Sequence, residues 1–200
     1  MMAGSTVPRA GRPAVFLDRD GTLIDEVEGG FLRTTRDLTL YPWSAGAVKR
    51  INDAGLLAVV VTNQSGVARG YFDEAFLDEA HRVLNAQLAG SAAHIDAFYY
   101  CPHHPDAVLD RYRVACQCRK PEPGLLLRAA REVGVDLDRS WMVGDTWRDV
   151  EAGCRAGVRS LLVMSGQGRE AAANPPGNVA VEAIVEDVEK AVEWIVHNRE

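Results

Sequence analysis

Two carboxylates, Asp18 and Asp20, stand one residue apart where the apolar run "AVFL" stops, in the stretch "FLDRDGTLI". Burying a lone carboxylate costs several kcal/mol unless a positive partner sits beside it, so two together call for a cation. A second apolar run, "SWMVGD" at 140–145, ends on Asp145, with Asp149 a helical turn further on. A third, "LLAVVVT" at 56–62, ends on Thr62 with Asn63 behind it. Taken singly, each Asp has an ordinary use as a turn former or helix cap. Together, with Gly21 and Gly144 allowing close backbone approach, they describe one oxygen-lined site suited to Mg2+, which keeps several waters and commonly completes its shell with a phosphate.

A phosphoryl group at such a site makes Asp18 a candidate nucleophile that forms an aspartyl-phosphate. Asp20 is then the candidate acid that protonates the leaving oxygen and the base that deprotonates the hydrolytic water, and Thr62 is a hydrogen-bond donor to a phosphoryl oxygen. "CRKPEPG" at 118–124 offers Lys120 as a point charge and Arg119 as a bidentate fork. On its own that pair would read as a solvated patch.

A second constellation, "CPHHPDAVLDRYRVACQC" at 101–118, contains Cys101, His103, His104, Cys116 and Cys118. Three thiolates and one imidazole make a closed tetrahedral set, the composition of a structural zinc site, with either histidine able to serve. The alternative is a group of reduced core cysteines beside a surface histidine pair. Zinc is preferred because 102–123 shows little periodicity, and a structureless loop of that length needs another source of order. Cys154, alone on a helical stretch, reads as a small buried apolar residue.

The elements that must position these groups alternate. Short branched runs at 14–18, 56–62, 97–101, 140–145 and 160–164 predict strands covered on both faces, with a last strand near 179–185. Helical patterns lie at 44–55, with Ser44 as candidate N-cap, and at 73–90, 124–134, 148–157 and about 187–197. This order predicts an α/β fold with a parallel sheet, right-handed crossovers, and ligands beyond the strands' C-terminal ends, where residues two apart share a side.

The 200-residue length suits one domain over 14–200 with a zinc-binding loop at about 101–118, preceded by a flexible tail at 1–13. A net charge of -6 argues against a nucleic-acid or anionic-membrane surface, and no apolar run approaches a membrane span. The expected setting is cytoplasmic, the expected partner a small anionic molecule, and the expected state a monomer.

"DRDGT", "VVVTN", "RKP" and "VGDTWRD" resemble, in order and approximate spacing, the four motifs of the haloacid dehalogenase-like phosphatases, over residues 14 to 165. The resemblance implies a Rossmann-like fold without a large cap domain, Mg2+ dependence, Asp18 as nucleophile and Asp20 as acid and base. It also implies metal ligation by the Asp18 and Asp145 carboxylates and the Asp20 backbone carbonyl, with Thr62 and Lys120 around the phosphoryl group; Asn63, behind Thr62 at the strand end, is a further candidate for substrate binding. The cysteine loop is similar to that of the heptose-bisphosphate phosphatases within this superfamily, whose zinc ligands match Cys101, His103, Cys116 and Cys118. The related histidinol-phosphate phosphatases share those ligands but usually have a shorter span between the pairs, and tend to read differently at "TNQSGVARG".

The implied substrate is therefore a sugar bisphosphate, cleaved at its 7-phosphate, whose second phosphate would meet Arg119; Arg69 is a second candidate cation, with a helix-terminus or surface role as its alternative. Histidinol phosphate or another small phosphomonoester is the alternative within the same chemistry, and a zinc-containing binding module without turnover is the alternative outside it. The chain departs from the heptose enzymes at "GGFL" (29–32) and at Thr146, positions that bear on specificity. The span from Asp25 to Pro42 is long enough for a flap, with the zinc loop as the opposite wall.

Overall fold

Strands β1 (Ala14–Leu17), β2 (Leu57–Asn63), β3 (Ala97–Cys101), β4 (Trp141–Gly144), β5 (Arg159–Val163) and β6 (Ala183–Val185) form one sheet in the order β3-β2-β1-β4-β5-β6. All five pairings are parallel. This is a computed structural model describing residues 11–27, 29–177 and 179–199. The helices are α1 (Ser44–Asp53), α2 (Ser65–Ala68), α3 (Glu74–Ala89), α4 (Gly124–Val133), α5 (Trp147–Ala156), α6 (Gly168–Ala173) and α7 (Val188–His197).

Each central strand sends alternate residues to opposite faces, so a buried strand needs both sets apolar. Val15, Leu17, Val60 and Val143 pack with Val48 and Ile51 of α1, Leu84 and Leu88 of α3, and Val192 and Ile195 of α7. Phe16, Val59, Val61 and Met142 pack with Leu125, Leu126 and Ala129 of α4 and Ala152 of α5. The result is the predicted sheet between two helical layers. Among the described residues no helix is long and apolar enough to cross a membrane.

Several boundaries move. Ser44 lies inside α1 instead of capping it, because Trp43 is the N-cap and the Ser44 hydroxyl donates to the Leu23 carbonyl at 2.7 Å. The last strand is shorter than the expected 179–185, and α2, α6 and three 3-10 turns carry too few residues to show a period. Residues 1–10 of the expected tail lie outside the described residues, but 11–13 are held. Arg12 N donates to Gly134 O, and Asp136 N donates to Arg12 O, both at 2.9 Å.

The chain leaves β1 for β2 on one side and returns to β4 on the other, so the order reverses around β1. Crevices at such a reversal, beyond the strands' C-terminal ends, are where open α/β sheets bind ligands. The adjacent strands β2, β1 and β4 end on Asn63, Leu17 and Gly144, which brings Thr62, Asp18 and Asp145 to one rim.

Candidate active site

A cavity of about 180 Å³ opens at that rim, with Asp18, Asp20, Thr62, Asn63, Lys120 and Asp145 among its lining residues. Asp18 follows the last residue of β1, and Gly21 turns the chain at φ +80°, so Asp20 meets the same cavity. Gly166, at φ +52°, approaches from beyond β5, and a Cβ at Gly21 or Gly166 would run into the Asp145 carboxylate. That close cradle keeps Asp145 facing the cavity.

Lys120 is buried, and its ammonium contacts Val61 O at 2.7 Å, Asp18 Oδ1 at 2.9 Å and Asp149 Oδ1 at 2.5 Å. Burial opposes its charge, but the Asp149 and Asp18 carboxylates outweigh that and raise its pKa. Asp149 is fully served: its Oδ2 accepts from Thr146 N at 3.1 Å and Thr146 Oγ1 at 2.6 Å. Asp145 accepts one backbone N–H, from Gln167 at 2.8 Å. Asp18, Asp145 and Asp149 lie close enough together to share one ion, yet Lys120 is the one ammonium among them. Burial pushes the Asp145 carboxyl up to about 8, helped by Asp149 and Asp18, and burial pushes Asp18 up to about 6 against the pull of Lys120. An all-carboxylate set with this charge deficit fits a hard divalent cation, with Asp18 and Asp145 the members left to hold it.

The raised values fix the sign of a pH dependence. A folded carboxylate with pKa above its unfolded value of 3.8 binds more protons folded than unfolded, so stability falls as pH rises through that window. In Mg2+-free buffer the thermal midpoint should fall between about pH 5 and pH 8, and added Mg2+ should raise it more at pH 8 than at pH 5. A larger Mg2+ effect at the acid end in thermal denaturation would contradict this charge balance.

The remaining polar groups are tied into the frame. Asp20 is gripped by Arg19, through Nε at 3.2 Å and Nη2 at 3.0 Å, and accepts from Gln64 Nε2 at 2.8 Å. Gln64 Nε2 also donates to Thr62 Oγ1 at 2.9 Å, which leaves the Thr62 hydroxyl hydrogen free to donate elsewhere. Arg19 and Gln64 were not singled out from the sequence. Their signal was present, as one cation between two acids and an amide just past β2, but the role of Arg19 depends on its burial against the neighbouring Asp20 and that of Gln64 on a bond from the end of β2 to the end of β1. Asn63 is committed to the chain at Lys120, donating to Lys120 O at 3.1 Å and accepting from Lys120 N at 3.0 Å. It steadies Lys120 and has its side chain occupied. Arg69 does not line the cavity; its guanidinium lies 5.9 Å from the Phe31 ring.

The flap is present. Glu26, Gly30, Phe31 and Leu32 line the cavity, and an Ile24–Leu40 bridge closes the flap at its base. The expected opposite wall is not the zinc loop itself: Arg119 and Lys120, which directly follow it, line the cavity, and none of residues 101–118 does. Cys101, His103, Cys116 and Cys118 gather: Cys101 Sγ is 3.6 Å from Cys116 Sγ and 3.1 Å from Cys118 Sγ, and His103 Nδ1 is 3.3 Å from Cys118 Sγ. Hydrogen bonding to Cys101 holds the Cys118 thiol down at about 5, while the same bond and burial push Cys101 up, so the thiolate of this pair sits on Cys118. The set fits zinc. His104 accepts from Asp106 N at 3.0 Å instead, so His103 is the histidine of the cluster.

The loop also has a second anchor. Glu74 accepts from Tyr100 at 2.7 Å and Tyr112 at 2.6 Å, and Ala107 and Tyr112 pack on Val67, Ala68 and Leu77. Cys154 departs from expectation: it is exposed, just beyond the buried face formed by residues 149, 150, 152, 153 and 156 of α5.

Residues 117–191 match a family model described as "HAD-hyrolase-like". The D-glycero-beta-D-manno-heptose-1,7-bisphosphate 7-phosphatase of Photorhabdus laumondii is 38% identical over 186 residues, covering 92% of this chain and 97% of its own. That of Escherichia coli K12 is 35% identical over 187 residues, covering 93% and 89%. Among solved structures, the D,D-heptose 1,7-bisphosphate phosphatase from B. bronchiseptica, complexed with magnesium and phosphate, matches at a TM-score of 0.82. It is 35% identical, over 92% of this chain and 98% of that one. An open six-stranded sheet, a carboxylate–lysine cavity at its reversal and these likenesses agree: the chain belongs to the haloacid dehalogenase-like phosphatases, in the family of the D-glycero-beta-D-manno-heptose-1,7-bisphosphate 7-phosphatases.

Proposed function

We propose that this chain removes the 7-phosphate of D-glycero-β-D-manno-heptose 1,7-bisphosphate, acting as a monomer in the cytoplasm. The observation that carries the reading is a single cavity lined by Asp18, Asp20, Thr62, Lys120 and Asp145, in a chain that relatives of that name match over more than nine-tenths of its length. Unpaired cysteines suit a reducing compartment, and the exposed large apolar residues Tyr71, Val133 and Ile184 come from separate segments, with Val108 and Val114 alone sharing one loop, which supports the monomer. The unit proposed is one phosphatase domain with its zinc loop.

Asp18 attacks phosphorus, the bond from phosphorus to the ester oxygen breaks, and Asp20 gives its proton to the departing sugar oxygen. Asp20 then takes a proton from water, whose oxygen attacks the aspartyl-phosphate, releases phosphate and restores Asp18. Thr62 and Lys120 donate to the phosphoryl oxygens; Lys120 is already aimed by Asp149 and by Val61 O. The Asp18 and Asp145 carboxylates and the Asp20 backbone carbonyl would hold Mg2+, which neutralises phosphoryl charge when bound. Cys101, His103, Cys116 and Cys118 would hold zinc, which is structural because its donor set is closed.

Phosphate release across both heptose 1,7-bisphosphate anomers, fructose bisphosphate and histidinol phosphate, with and without Mg2+, tests this. The expected result is Mg2+-dependent turnover with a heptose bisphosphate favoured at least tenfold in kcat/KM. Preference for histidinol phosphate would overturn the substrate, and no turnover of any ester would overturn the reaction.

A further inference from the structure

A second phosphate needs its own cations, and those on the floor are spoken for: Lys120 is held between Asp18 and Asp149. Above them, Arg119 and Arg148 both line the cavity. Arg119 directly precedes Lys120 and Arg148 directly precedes Asp149, and the Lys120–Asp149 contact is 2.5 Å. Consecutive Cα atoms lie ~3.8 Å apart, so the two arginines leave the chain from either side of one short ion pair.

Neither has a carboxylate partner among the described residues. Arg119 donates to the His103 carbonyl at 3.2 Å, and Arg148 makes no ion pair. Arg155, later in α5, is paired with both Glu122 and Glu151. Glu26, the lining acid on the flap, accepts from Gln167 at 2.8 Å. Arg148 also stands in the first turn of α5, where the helix dipole disfavours a cation and an anion would relieve the conflict. Two guanidiniums that line one cavity without a carboxylate partner leave that place to an anionic ligand.

We propose that Arg148 is a substrate-binding residue, forming with Arg119 the site for the phosphate that is not cleaved. This rests on the bisphosphate reading and adds to it a residue, on α5, that selects bisphosphates over monophosphates. Two guanidiniums give a planar, multidentate grip on a phosphate dianion.

The test is the ratio of kcat/KM for heptose 1,7-bisphosphate to that for heptose 7-phosphate, measured in the wild type, Arg148→Ala, Arg148→Lys and Arg155→Ala. The ratio should fall at least tenfold in Arg148→Ala, recover in part in Arg148→Lys, and stay at the wild-type value in Arg155→Ala, which removes a nearby charge outside the cavity. A wild-type preference retained by Arg148→Ala, or lost equally in Arg155→Ala, overturns the role of Arg148 alone. A wild type that does not distinguish the two esters overturns both this role and the bisphosphate reading.

Discussion

Asp18→Asn should lower kcat for phosphate release by at least ~10⁴-fold, about 5.5 kcal/mol of barrier, while the protein stays folded with an unchanged or higher melting temperature. An amide cannot form the aspartyl-phosphate, and it is a poorer ligand for a hard cation. The stability half follows from the charge balance. Burial raises Asp18 to about 6, so at neutral pH its ionised form costs folding energy, which an uncharged isostere removes. Lys120 would not be stranded, because Asp149 holds it at 2.5 Å and Val61 O accepts from it at 2.7 Å. Kinetics with a malachite-type phosphate assay and thermal denaturation of the same preparation check both halves. Residual turnover within tenfold of wild type would remove Asp18 as the nucleophile. A melting temperature several degrees lower would mean that the carboxylate is a structural partner of Lys120, against the balance drawn from its surroundings.

The floor of the site was legible because each piece of it ends a buried strand. Val59, Val60 and Val61 mark β2 by their branching alone, and three such runs that each end on a polar residue are harder to explain by turns and caps than any one of them. Asp18, Thr62 and Asp145 were therefore visible as a set before any contact was known. The groups around them were not, since their meaning lies in burial and side-chain contacts that spacing does not show. Arg19 reads as one charge among three until it is seen buried and bidentate on Asp20. Gln64 reads as a loop amide until it bridges Asp20 and Thr62. Arg69, close in sequence to the "TNQSG" motif, ends against Phe31, whereas Arg148 reaches the cavity because Asp149 anchors the first turn of α5. Cys154 failed for a different reason: its burial depends on helix phase, and it lies about 40° round the helix from Val150, just past the edge of the buried face.

Cys118→Ser should remove one zinc per chain, lower the melting temperature by roughly 10–20 °C and cost most of the activity, although Cys118 does not line the cavity. The size is set by two opposing facts. Structural zinc contributes an apparent ~10–16 kcal/mol in isolated peptides, where it is the whole source of order. Here Glu74 and the Ala107–Tyr112 cluster hold part of the loop independently, so about 5 kcal/mol is expected, converted at ~2–4 °C per kcal/mol for a chain of this size. Activity suffers because the loop's far end carries the catalytic cations. Gly124 N donates to Gln117 O at 2.8 Å, and Arg119 and Lys120 lie inside that closed turn, directly after Cys118. His103→Ala should behave like Cys118→Ser, while His104→Ala should keep its zinc, since His104 turns to Asp106 N at 3.0 Å and away from the cluster. Zinc content by elemental analysis and thermal denaturation, read together across the three variants, decide the matter. Full zinc occupancy in Cys118→Ser, or zinc lost from His104→Ala but kept by His103→Ala, would overturn the ligand set. If zinc were lost with no change in melting temperature, the Glu74 anchor alone would be ordering the loop that holds Lys120 against Asp18.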